Sequence, residues 1–312
     1  MMRSAFSRQL RRLPFVPDLI DASHNLFFPL SRDRELRRLG YTLVEDQFVV
    51  ASSAIKIDIV IPSIDKDVDT LPHVIESVRR NVMHPLGSIY VISPESEKIR
   101  QICSAYGCQN ILEDTLLPIN KSNIDYNIGG ITRSGWLFQQ FLKLSGDLFC
   151  EQDNYLVIDS DTLLIKPQVF EFRGKFVMNY SNEYHLPYFD IYERLFGFRT
   201  PCPVSFTSHH ILVNISILRQ LKDDLLKKNG LIWYEAIINS LDTSELSGHS
   251  DYDTYGHYAL GMMKERFCLH YWHNKSLSRE LLPKVTELSA RYSNNYKSLS
   301  FHSYNQSVPP LL

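Results

Sequence analysis

At 312 residues and 44% apolar composition, the chain can bury a sizeable core as one large domain or two small ones. With 33 Lys and Arg against 35 Asp and Glu, the formal charge is −2, which argues against a nucleic-acid partner. Five scattered cysteines (Cys103, Cys108, Cys150, Cys202, Cys268) make neither a disulfide framework nor a zinc site and read as reduced cytosolic thiols.

Residues 1–52 read as an N-terminal extension. Its start is basic, with Arg3, Arg8, Arg11 and Arg12 among Phe6, Leu10, Leu13 and Phe15. Such a segment is a solvated arm, a helix packed on the domain, or a helix lying on an anionic membrane surface. No run approaches the ~18 apolar residues of a membrane span, and no apolar signal-peptide core is present. A cytoplasmic protein is expected, with peripheral contact at the inner membrane face as the variant. Arg32 to Leu39 is a charged helical stretch, and Tyr41 to Val50 alternates towards a strand or hairpin.

A single catalytic domain is expected over residues 53–312. Ile57-Asp-Ile-Val-Ile-Pro62 is a β-branched strand stopped by proline, and Leu71, Val74, Ile75 and Val78 then recur at helical spacing. A strand over Ser88–Ser93, a helix from about Glu95 to Tyr106 and a short strand at Asn110–Glu113 follow. This alternation predicts an α/β fold with a mixed, mostly parallel sheet flanked by helices. Gly129-Gly130 breaks the chain before a helix carrying Trp136, Phe138, Phe141 and Leu142. Later elements are a strand within Val204–Asn214, a helix over Ser216–Lys228, and strand-like patches at Cys268–Trp272 and Leu299–Tyr304.

The most informative stretch is Tyr155-Leu-Val-Ile-Asp-Ser-Asp161, a buried strand running into two carboxylates. In an extended chain, residues two apart share a side, so Asp159 and Asp161 are expected to face one point beyond the strand. Ligands of open α/β sheets gather at that edge. Two carboxylates held so close raise one pKa unless a cation lies between them. Hard oxygen ligands suit Mn²⁺ or Mg²⁺, which bridge to substrate phosphates. Leu163-Leu164 beyond the pair places core residues on both sides, unlike a solvated turn.

Pro62-Ser63 after the first strand, Arg133-Ser-Gly-Trp-Leu-Phe-Gln-Gln-Phe-Leu-Lys-Leu144, and Asp159-Ser-Asp161 occur in the order found in glycosyltransferases of the GT-A fold. Over about residues 56–304 the chain resembles that class. More closely, it resembles a poorly characterised bacterial group linked to surface polysaccharides. The resemblance implies a GT-A-like fold, a nucleotide-sugar donor, a divalent cation on the acid pair, and a saccharide or glycolipid acceptor.

Physical reasoning assigns roles beside it. A cation on Asp161, with Asp159 assisting directly or through donor contacts, would stabilise the departing diphosphate. Arg133 and Lys143 add positive charge or form a solvated helix face, and Trp136 binds donor or anchors the core. Gln140 shares a helix face with Trp136 and Lys143. Pro62, Ser63 and Asp67 stand where a nucleobase would dock; Asp67 alternatively caps the next helix. Asp251 and Asp253 are candidate bases, with Ser250 capping a helix whose first turn holds Asp251; dipole stabilisation is the other reading. The resemblance further implies a histidine from near the C-terminus as a third metal ligand, with His302 the first choice, ahead of His270 and His273. Of His209 and His210, strand alternation sends one to the cleft. Tyr180, Tyr184, Tyr188 and Tyr192 suit a helix stripe.

Two other functions compete. A haloacid-dehalogenase-type phosphohydrolase needs Asp-x-Asp-x-Thr/Val on its first strand, whereas Leu163 follows here and two strands precede. A catalytically inactive sugar-binding protein would have lost an aspartate or the Arg133–Lys143 helix, and both are intact.

Overall fold

The computed structural model describes residues 30–45 and 52–302. The basic start at 1–29, part of the Tyr41–Val50 prediction and the last residues of the 299–304 patch lie outside the described residues. Helix α1 (30–38) is packed on the body: Leu36 is fully buried, the Tyr41 hydroxyl donates to the Pro201 carbonyl at 3.1 Å, and Leu43 bridges to Leu269.

Strand β1 (Ile57–Pro62) is buried along its whole length, as its run of Ile and Val requires of a strand covered on both faces. Pro62 ends it. Helix α2 (Leu71–Asn81) starts with Pro in its first turn and turns Leu71, Val74, Ile75 and Val78 inward at the predicted spacing. Next come β2 (Leu86–Ser93), α3 (Glu97–Ala105) and β3 (Gln109–Leu112); the Ser96 hydroxyl caps α3 by accepting from Ile99 N. A small hairpin, β4 (Asn127–Ile128) and β5 (Ile131–Thr132), turns at Gly129-Gly130, both at the positive φ that glycine supplies without strain. Helix α4 (Ser134–Lys143) leads into β6 (Asn154–Ile158), and β7 (Thr162–Leu164) follows the acid pair.

The second half holds β8 (Glu171–Phe172), β9 (Lys175–Tyr180), α5 (Leu186–Phe196), β10 (His210–Asn214), α6 (Ile215–Asn229) and α7 (Trp233–Ser240). It closes with α8 (Asp251–Met263), β11 (Phe267–Tyr271), β12 (Asn274–Ser278), α9 (Val285–Tyr292) and β13 (Ser298–His302).

The central sheet has the order β10-β6-β1-β2-β3, with β6, β1, β2 and β3 parallel and β10 antiparallel. The predicted mixed, mostly parallel α/β architecture is therefore observed. Alternation divides the core. Val60, Val157 and Val213 pack with α4 to α8 on one face, while Ile59, Ile61, Leu156 and Ile158 pack with α2 and α3 on the other. A second sheet, β12-β13-β7, places the end of β13 beside the residues that follow the acid pair; Phe301 N donates to the Asp161 carbonyl at 2.8 Å.

Two local expectations change. The Val204–Asn214 strand shortens to β10, because His209 adopts φ +62 and turns the chain out of the ladder. The tyrosine stripe divides: Tyr180 ends β9, Tyr184 lies before α5, and only Tyr188 and Tyr192 are in that helix.

Candidate active site

Asp159, Ser160 and Asp161 form a turn, closed by Thr162 N donating to the Asp159 carbonyl at 3.1 Å. Strand alternation therefore does not align the two carboxylates; the turn brings both to one open cavity of about 630 Å³ at the carboxyl edge of β6. Ser160 fixes the turn by donating to Asp67 at 2.9 Å and accepting, through its carbonyl, from the Thr70 hydroxyl at 2.7 Å.

Each acid has resident partners. Asp159 Oδ1 lies 2.6 Å from Lys143 Nζ and accepts from the Tyr252 hydroxyl at 2.8 Å; its Oδ2 lies 3.2 Å from His209 Nδ1. Burial pushes the Asp159 carboxyl up, but the Lys143 ammonium and His209 outweigh it and hold it below the usual carboxylate range. Lys143 is itself buried, which favours its neutral form, yet Asp159 and Asp251 keep its pKa above the ordinary lysine value. Asp161 Oδ2 lies 3.0 Å from His302 Nδ1 and 4.0 Å from Arg279 Nη2. The carboxylates, expected to need a bound ion, are thus already matched by cationic and imidazole groups of the chain.

The α8 start supplies the next acid. Ser250 caps the helix by accepting from Asp253 N at 3.0 Å, as its sequence position predicts. Asp251 lines the cavity with its Oδ1 3.8 Å from Lys143 Nζ, and its Oδ2 is buried without a hydrogen-bond partner. Burial raises this carboxyl to about 7, with Lys143 pulling the other way and Asp159 adding to the rise. Gln140 Oε1 accepts from Asp251 N at 2.9 Å and sits 3.0 Å from His249 Nδ1, so the α4 motif positions α8. Asp253 is placed differently. It accepts from Phe206 N at 2.8 Å and the Thr207 hydroxyl at 2.8 Å, is almost fully buried, and does not line the cavity.

The donor-side residues divide between two adjoining hollows. Pro62 and Ser63 line a second one, also about 630 Å³, and Arg133 and Trp136 line both. Arg133 lies 4.1 Å over the Trp136 ring and donates to the Leu246 carbonyl at 2.6 Å, so neither is a plain core or solvated residue. Ser63 Oγ is buried without a hydrogen-bond partner. Asp67 is not the α2 cap; Thr70 holds that position, and Asp67 pairs with Arg279 at 2.7 Å while lining the first cavity.

Among the histidines, His302 and His209 reach the cavity, their ring centroids 5.2 Å apart. His210 points the other way, 3.0 Å from Asn179 Oδ1, and His270 meets Lys297 at 2.8 Å; neither lines either hollow, nor does His273. His209 bridges Asp159 and half-exposed Glu183, whose Oε1 is 3.0 Å from Nε2. Burial favours neutral imidazole, but Glu183 and Asp159 raise the His209 pKa well above its ordinary value. Tyr252, Glu183 and Arg279 were absent from the sequence-based set; only Tyr252, one residue after a candidate base, carried a local signal.

Among the described residues, no group of three His, Cys, Asp or Glu side chains is closed around a single point as metal ligands. Asp159, Asp161 and His302 nonetheless present carboxylate oxygen and imidazole nitrogen to one cavity, a donor set whose chemistry fits Mn²⁺ or Mg²⁺ once their resident partners yield. No helix among the described residues is long and apolar enough to cross a membrane.

Fold and site together define a mixed α/β protein with an acid- and histidine-lined cleft at the carboxyl edge of its central sheet. Residues 54–307 match DUF6492, a family of unknown function, and the chain belongs to that family. No curated protein matches it. Among solved structures it is similar to a galactosyltransferase, LgtC, in complex with donor and acceptor sugar analogs: 13% identity, 80% of this chain and 88% of that one, TM-score 0.42. An active-site mutant of LgtC gives 14% identity, 81% and 92% coverage, and TM-score 0.44. Mouse xyloside xylosyltransferase 1, in apo form, gives 15%, 82% and 100%, and 0.41. All three likenesses are remote.

Proposed function

We propose that the protein is a GT-A-like glycosyltransferase that moves a sugar from a nucleotide-sugar donor to an acceptor hydroxyl. One observation supports this above the rest: an Asp-x-Asp turn at the end of a central strand shares a cavity with His302 and with Asp251, a buried acid whose pKa is near neutrality. A hydrolase of the haloacid dehalogenase type would carry its acid pair after the first strand, whereas here β1, β2 and β3 of the same sheet precede β6.

Asp159, Asp161 and His302 would hold Mn²⁺ or Mg²⁺, which when bound supplies Lewis-acid stabilisation of a diphosphate leaving group. The chain's own residues do the rest. Lys66 and Arg133, lining both hollows, place positive charge along the donor, while Ser63 and Trp136 meet the nucleoside in the second hollow. Asp67 and Arg279 brace the Ser160 turn. Asp251 accepts the acceptor hydroxyl's proton, a role that suits a carboxyl titrating near 7. If the deprotonated hydroxyl attacks the anomeric carbon opposite the departing diphosphate, this single displacement inverts it.

In this reading, residues 53–312 form the catalytic unit and residues 1–52 the extension. The acceptor is a saccharide or glycolipid of surface polysaccharide synthesis, and the protein works in the cytoplasm, with peripheral contact at the inner membrane face as the variant. The test is a thermal-shift panel of nucleotide-sugars with and without Mn²⁺. Shifts that need the metal and vanish in Asp161→Ala are expected; metal-independent shifts would count against the cation. NMR of the product should show the inverted anomer, and a retained one would overturn the single displacement.

A further inference from the structure

We propose that Lys143 is an internal counter-cation of the acid pair, which keeps Asp159 from a divalent ion until the ammonium transfers to Asp251. The inference rests on the glycosyltransferase reading and deepens it.

Three observations carry it. Lys143 Nζ lies 2.6 Å from Asp159 Oδ1, where a cation ligated by this carboxylate would sit, and the lysine is almost fully buried. Two positive charges cannot share that oxygen without strong repulsion. A second seat is built beside the first: Asp251 Oδ1 is 3.8 Å from Nζ, and Asp251 Oδ2 is a buried acceptor with no hydrogen-bond partner. Bringing an ammonium to hydrogen-bond distance of that carboxylate takes a movement of roughly 1 Å. Finally, Tyr252 gives the ammonium a fixed pivot. Its hydroxyl is 3.0 Å from Nζ and its ring centroid 4.3 Å away, so both seats are reached without exposing the charge to water. Since Tyr252 also donates to Asp159, the move leaves that carboxylate with a hydrogen-bond donor in place.

The consequence is that Mn²⁺ competes with a side chain as well as with water. The full chain, its Lys143→Met variant and a Lys143→Gln variant would be titrated with Mn²⁺ alone, read by calorimetry and by the spin-resonance signal of free Mn²⁺. Melting curves would confirm that each variant folds. Removing the ammonium is expected to tighten Mn²⁺ binding by about tenfold or more, with Lys143→Met/Asp161→Ala losing it. Equal or weaker Mn²⁺ affinity in both folded variants would overturn the inference while leaving the cation assignment standing. Absence of Mn²⁺ binding from the wild type and both variants would overturn the cation assignment itself, and this inference with it.

Discussion

Gln140 on α4 holds the first backbone amide of α8: its Oε1 accepts from Asp251 N at 2.9 Å while lying 3.0 Å from His249 Nδ1. A helix N-terminus has amides with no partner inside the helix, and here a side chain from another element supplies one. Gln140→Leu leaves that amide and His249 without their acceptor in a dry setting. The expected cost is about 2 kcal/mol of stability, read from urea unfolding. Turnover should fall more than the stability change explains, because Asp251 loses its tether.

Asp161→Asn tests the acid pair. This carboxylate joins the turn after β6 to the His302 end of β13, and the exchange preserves its shape. Transfer should drop about 100-fold or more, with stability altered by only about 1 kcal/mol. Retained turnover would remove Asp161 from the reaction.

Asp251 and Asp253 separate cleanly. Asp253→Ala strands Phe206 N and leaves the Thr207 hydroxyl only Ser250 Oγ at 3.3 Å, and should cost about 2–3 kcal/mol. Initial rates normalised to folded protein should then change little. Asp251→Asn should abolish transfer while leaving the fold intact.

Asp251 also sets a pH dependence. Its folded pKa of about 7 stands above the ordinary value of 3.8, so below pH ~4 both folded and unfolded forms are protonated and nothing is lost. As pH rises from about 4 to 7 the unfolded chain sheds a proton that the fold retains, and stability falls until it levels off above 7. The shift of about three units corresponds to roughly 4 kcal/mol. Asp251→Asn should therefore exceed the wild type in stability at about pH 8, with the gap closing towards pH ~4. Wild-type turnover should rise with pH as the base ionises, with a midpoint below 7 once the Lys143 ammonium has moved onto Asp251.

Gly256 lies within α8, where exchanging glycine for alanine ordinarily gains about 1 kcal/mol. A Cβ there would stand 2.6 Å from the buried Phe206 ring. Gly256→Ala should instead destabilise by about 1–3 kcal/mol, measurable as a lower melting temperature. The same contact presses α8 onto the segment that donates to Asp253.

What the sequence made legible was local. The strand of Ile57–Pro62, the period of Leu71 to Val78 and the Ser250 cap depend on neighbours within a few residues, and each forms as expected. The fate of Lys143 was not readable, because a buried lysine and a solvated one look alike until the partner carboxylates are placed by β6 and α8. Strand alternation misjudged Asp159 and Asp161, since it assumes an extended chain and three residues are enough to turn it. His209 left the ladder through a backbone conformation that no side-chain pattern announces. Arg279 joins Asp67 across 212 positions of sequence, beyond the reach of any periodicity.

The site is stitched shut by β13, whose Phe301 amide clasps Asp161 and whose His302 stands 141 positions from the acid it meets. The central sheet draws its last strand from residues ending at Asn214, whereas the cleft draws on His302, far later in the chain. Copies lacking Ser298–His302 would lose Leu299 and Phe301 from the core, the middle strand of the second sheet and the imidazole that meets Asp161, so cleft and packing would fail together.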